Sequence, residues 1–101
     1  DAIDLVGNAN GTIANVSSIG DAVTLSSGTT ETLANYLDAS AGSDGSSTSV
    51  VKHFQYSGDT YIFVDKAAAT TYADGTDSFI KLSGLVTIKG SALASEILTI
   101  A

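Results

Sequence analysis

Two alternating arms, KHFQY and TYIFV, flank Ser57-Gly58-Asp59, and this stretch limits what the chain can fold into more than any other. A two-residue turn at Ser57-Gly58 sets the register of a hairpin, placing Tyr56 opposite Asp59, Phe54 opposite Tyr61 and Lys52 opposite Phe63. Side chains alternate across a strand. One face therefore carries Phe54, Tyr56, Tyr61 and Phe63, and the other carries Val51, His53, Gln55, Thr60, Ile62 and Val64. Cross-strand aromatic pairs contribute roughly 0.2–1 kcal/mol each, so four rings together hold that register firmly. Apolar groups on both faces predict a central hairpin, covered on one side by a helix or a second sheet.

The segments around the hairpin are predominantly β in character. Ile3 and Leu5, then Ile13, Val16 and Ile19, then Val23 and Leu25 form short β-branched runs about ten residues apart, with Asn10-Gly11 as a turn. Such spacing suits the rungs of a parallel solenoid or the strands of an antiparallel meander. A helix is expected at about 30–40. Thr29 or Thr30 would be its N-cap, Glu31 would lie in its first turn, Leu33, Tyr36 and Leu37 would form one apolar stripe, and Gly42 would stop it. Residues 40–49 and 67–78 read as loops, the second turning at Asp74-Gly75. Residues 79–90 read as two strands around Ser83-Gly84. In the tail, Leu93, Ile97 and Leu98 fall at helical spacing, which favours a helix over 91–97, although the last residues are β-prone. The expected fold is mainly β: short strands in a β-roll, solenoid-like stack or β-sandwich, with a central hairpin at 50–65 and one short helix near 30–40.

Composition narrows the functional classes. At 101 residues a single β-rich domain with its own core is expected. Eleven acidic side chains face four lysines, Arg is absent, and the net charge is -7. Such a surface repels a phosphate backbone and has no guanidinium to read bases, which argues against nucleic acid as a partner. No apolar run approaches the roughly 18 residues of a membrane helix. Cysteine is absent, which removes disulfides and thiolate metal sites. The chain begins at Asp1, and it is expected to be a fragment of something larger.

Catalytic signals are weak. His53 is the single histidine, and Asp59 or Asp65 could orient it as a base, but its place in a strand beside Val51 and Gln55 makes it a sheet-face residue. Neither a Gly-x-Ser-x-Gly elbow nor a glycine-rich phosphate loop ending in Lys is present. The sequons at Asn10 and Asn15 are the kind that Ser/Thr-rich chains produce by chance. Carboxylates form the better pattern. Asp59, Asp65, Asp74 and Asp77 fall on the hairpin or the loop after it, and calcium takes oxygen ligands from flexible acidic loops. These four are the candidate calcium ligands. The alternative assigns Asp59 and Asp74 to turn backbone and Asp65 and Asp77 to strand ends. Their spacing does not match the twelve-residue helix–loop–helix calcium loop.

Residues 54 to 86, FQYSGDTYIFVDKAAATTYADGTDSFIKLSGLV, resemble the C-terminal region of large bacterial proteins exported by type I secretion, including RTX-type and S-layer proteins. The likeness rests on Phe54, Tyr56, Ser57, Gly58, Asp59, Thr60 and Tyr61, then Asp65, then Gly75, Thr76 and Asp77, and finally Lys81, Leu82 and Gly84. Ser57 stands where that pattern more often has Gly. The glycine-rich calcium nonapeptide of RTX arrays is not found in the 101 residues. The resemblance implies a secreted or cell-surface location and a non-enzymatic C-terminal module. Its partners would be the type I secretion machinery and neighbouring surface-layer subunits, with calcium nearby. Rival expectations are an adhesin or carbohydrate-binding module stacking sugars on Tyr56, Tyr61 or Tyr72, and an accessory piece of a secreted hydrolase.

Overall fold

A computed structural model describes residues 2–5, 17–41, 50–65, 78–94 and 97–100. The elements run β1 (Ala2–Asp4), α1 (Leu33–Ala41), β2 (Val50–Tyr56), β3 (Asp59–Asp65), β4 (Ser78–Leu82), β5 (Ala92–Ala94) and β6 (Ile97–Thr99). They form two three-stranded sheets, ordered β2-β3-β4 and β1-β6-β5. Every pairing among them is antiparallel, so the described strands form the sandwich and not a parallel solenoid.

The β2–β3 register matches the one the turn demands, with Tyr56 opposite Asp59, Phe54 opposite Tyr61 and Lys52 opposite Phe63. Both central turn residues have positive φ, 53° at Ser57 and 83° at Gly58. That geometry follows the right-handed twist of the strands, and it asks an unusual conformation of Ser57.

β3 is the middle strand, and its two faces meet different partners. Ile62 and Val64 point into an aliphatic layer with Leu5, Ile19, Ile88, Leu93 and Leu98, which joins the two sheets. Phe54, Tyr61 and Phe63 point the other way, against Leu37 and Ala41 of the helix. The result is three layers: helix, sheet, sheet.

The helix starts later than its spacing suggested. Thr32 is the cap, because its Oγ1 accepts a hydrogen bond from the Asn35 amide at 3.2 Å and its carbonyl accepts one from Tyr36 at 3.1 Å. Thr29 and Thr30 serve the preceding turn instead: the Thr29 amide donates to Ser26 O, and the Thr30 carbonyl accepts from Asn35 Nδ2. Glu31 precedes the first turn and accepts from the Tyr36 phenol. The last turn has no cation of its own. Lys52 supplies one from β2, donating to Ser40 O at 2.6 Å, where a positive charge satisfies a terminal carbonyl and complements the helix dipole. Gly42, the expected stop, lies outside the described residues.

Two expectations fail in the second half. The tail is a hairpin and not a helix, with Leu93 opposite Leu98 and Ala94 opposite Ile97. Residues 79–90 do not form two strands either. β4 ends at Leu82, and Leu85, Val86, Thr87 and Ile88 form no ladder. They keep a strand's alternation, with Val86 and Ile88 inward and Leu85 68% exposed. Hydrogen bonds to Thr60 and Gln55 side chains take the place of a partner strand.

In the first third, Ala2–Asp4 is the only described strand. Val23 and Leu25 lie in irregular backbone, and Ile13, Val16 and the Asn10-Gly11 turn fall outside the described residues.

Candidate functional site

The base of the hairpin turn is tied to β4 and the chain after it by several side-chain contacts. Asp59 is the first residue after the turn, and its Oδ1 accepts the Gly84 amide at 2.9 Å. Its Oδ2 lies 3.3 Å from Lys81 Nζ on β4. Next in line is Thr60, fully buried. Its hydroxyl accepts the Val86 amide at 2.8 Å and donates to the Gly84 carbonyl at 3.0 Å. Gly84 reaches this position with φ +87°, a conformation that side chains rarely adopt. Asp59 and Thr60 thus hold the chain after β4 against the turn, across 25 and 26 residues of sequence.

The Gly84 amide, and after it Lys81, hold the Asp59 carboxyl below its ordinary value of 3.8. A depressed carboxyl stabilises the fold above the unfolded-state value, and that contribution is lost as pH falls through the lower folded-state value. Acid titration should therefore weaken the clasp below about pH 4. Asp59→Asn should flatten that part of the stability–pH curve, as measured by urea unfolding between pH 2 and 6.

A strap formed by residues 19–23 joins the sheets at the other edge. The Ile19 amide donates to Ser91 O and the Gly90 amide to Ile19 O, while the Val23 amide donates to His53 O on β2. His53 is 5% exposed, and its Nε2 lies 2.9 Å from the Gly20 carbonyl. A carbonyl only accepts, so Nε2 carries the proton. The histidine is a buried anchor for the strap, on the face of β2 that the sequence assigned it. Lys89 and Asp21 add an exposed ion pair across the same edge at 2.6 Å.

Of the four candidate calcium ligands, Asp59 has both oxygens engaged in the clasp. Asp65 ends β3 opposite Val50. Asp74 and Asp77 lie outside the described residues. Among the described residues no three of His, Cys, Asp and Glu are grouped so as to hold a metal ion. Nor, among them, is any helix long and apolar enough to cross a membrane.

The tyrosines also need reassignment. Tyr61 is 6% exposed and stacks on Phe54 at 5.1 Å, so it is a core residue and no platform for sugars. Tyr56 is half-buried, and Tyr72 lies outside the described residues. Tyr36, which reads from sequence only as part of a helical stripe, continues the stack, with its ring 4.9 Å from Phe54 and within 11° of parallel. Its phenol donates to Glu31 Oε1 at 3.1 Å. Burial and then that carboxylate raise the phenol above its ordinary value of 10.0. Helical spacing gave no signal for this contact, because Glu31 lies before the helix and five residues from Tyr36, whereas neighbours on a helix face stand three or four apart.

The molecule is thus a helix-backed antiparallel β-sandwich. No protein-family model and no curated protein sequence matches the chain.

Proposed function

We propose that this domain is a non-enzymatic C-terminal module of a type I-secreted bacterial protein of the RTX or S-layer kind, supporting export, extracellular folding and surface-layer assembly. The resemblance over residues 54 to 86 carries this reading. Several of its positions belong to one mechanical unit. Phe54 and Tyr61 stack, Ser57 and Gly58 make the turn, and Asp59, Thr60, Lys81 and Gly84 make the clasp. A pattern whose members depend on one another for folding is one that a module of this type would keep together.

The charge supports the same reading. With a net charge of -7, the chain repels itself in the compact state, and calcium outside the cell would relieve that repulsion. Asp59, Asp65, Asp74 and Asp77 are the proposed ligands, and Asp59 would have to exchange Lys81 for the metal.

A reporter fused to this domain should leave cells through a type I channel, and deletion of residues 54–101 should abolish its export. Undiminished export after that deletion rejects the reading. Calcium is a separate arm. At millimolar calcium the melting temperature of the domain should rise, by an amount set by the ratio of free calcium to the dissociation constant. An unchanged melt places calcium elsewhere in the parent protein.

A further inference from the structure

We propose that the open groove between residues 23–29 and the first turn of α1 binds a neutral sugar residue. Thr24, Leu25, Ser26, Thr29, Glu31 and Tyr36 line it, around a volume of about 380 Å³. That size lies at the small end of the roughly 300–1,000 Å³ found for ligand sites, and it suits the terminal residue of a glycan better than a large apolar cofactor.

Three observations point to a sugar. The first is the platform. Tyr36 stacks on Phe54, and Phe54 stacks on Tyr61, with planes within 11° and 10° of parallel. The ring that lines the groove is thereby held in one orientation, so little side-chain freedom is left to lose on binding. An aromatic face is electron-rich, and the C–H groups on one side of a pyranose carry the complementary slight positive charge.

The second observation is the hydrogen-bonding set. The Tyr36 phenol is aimed by Glu31 Oε1, while the Thr24, Ser26 and Thr29 hydroxyls can each donate or accept. A polyol offers donors and acceptors on neighbouring carbons, and this mixture answers both. Charge is the third. Among the described residues the groove holds a carboxylate and no cation, on a chain of net charge -7, so uronic and sialic acids are disfavoured and neutral hexoses favoured. The site stands apart from the export proposal, since neither its residues nor its test involves the secretion pathway.

Saturation-transfer NMR on the whole 101-residue chain tests the site with methyl glycosides of glucose, galactose and mannose, and with methyl glucuronide as the charged probe. At least one neutral glycoside should receive saturation, most strongly at its ring C–H protons, and bind more tightly than the glucuronide. Tyr36→Phe keeps the ring stack and removes the hydroxyl. Glu31→Ala removes an exposed carboxylate. Each should weaken binding about fivefold, the worth of one hydrogen bond, with the unfolding midpoint lowered by no more than the loss of the one exposed Tyr36–Glu31 bond. Ile97→Thr, at an exposed position of β6 in the sheet that does not meet the helix, should leave binding as it is. No transfer to any neutral glycoside, tighter binding of the glucuronide, or unaltered affinity in either groove variant overturns the proposal.

Discussion

Phe54→Ala should remove about 3–5 kcal/mol of stability, the cost of emptying a fully buried aromatic site. Phe54 is 0% exposed and sits between Tyr36 and Tyr61, at ring separations of 4.9 and 5.1 Å. Loss of its ring breaks both stacks and leaves a void between helix and sheet. A domain of this size commonly has about 5–15 kcal/mol in total, so the variant should be marginal at 25 °C. Phe54→Leu retains most of the volume and loses the two stacking contacts, worth roughly 0.5–1.5 kcal/mol each. It should fall between wild type and the alanine variant. Urea unfolding followed by near-ultraviolet circular dichroism reports both stability and ring packing. Equal stability of Phe54→Ala and wild type would contradict the layered packing described above.

Thr60→Val is the second large effect expected, at about 1–3 kcal/mol. Valine has nearly the same shape, so little packing is lost. Its methyl group can neither accept the Val86 amide at 2.8 Å nor donate to the Gly84 carbonyl at 3.0 Å. Those backbone groups would be left without their partner beside a fully buried side chain, and an unsatisfied buried group costs more than a formed hydrogen bond contributes. Thr60→Ser restores the hydroxyl and removes only a methyl, about 0.8 kcal/mol by burial. Hydrogen exchange separates the two causes. The Val86 amide should exchange faster in Thr60→Val and near the wild-type rate in Thr60→Ser. If both variants accelerate exchange alike, packing and not the hydroxyl holds the segment.

The hairpin was fully legible in the sequence because its turn is local. Two residues at the turn determine every pairing along both arms, and the structure reproduces them from Val50–Asp65 to Tyr56–Asp59. The tail was misread for a related reason. In a tight hairpin, inward-facing partners such as Leu93 and Leu98 stand five residues apart, and with Ile97 beside them the pattern imitates one turn of helix. The helix start was misplaced because Thr29, Thr30 and Thr32 are all competent caps, and the choice between them is made by the turn at Ser26–Thr29. Residues 85–88 keep β alternation without a ladder, because the groups that satisfy them belong to Thr60 and Gln55, far away in sequence.

The candidate site was only partly legible. Asp59 and the hairpin tyrosines stood out as residue types, yet the clasp needs Gly84 and Val86, and nothing local links those to Asp59 and Thr60. The groove around Tyr36 depends on the path of residues 23–29, which carry no motif.

β1 and β6 pair antiparallel, with Ala2 beside Thr99 and Asp4 beside Ile97. The chain thus enters and leaves the sandwich at neighbouring points, and tension drawn through both ends loads the Ala2–Thr99 contact before any other. An antiparallel pair pulled from one end opens like a zipper, one rung at a time, whereas a pair pulled from opposite ends resists in shear. Force applied through both termini would therefore peel β1 from β6 at low load, while the β2–β3–β4 sheet, with its helix and clasp, lies outside the line of pull.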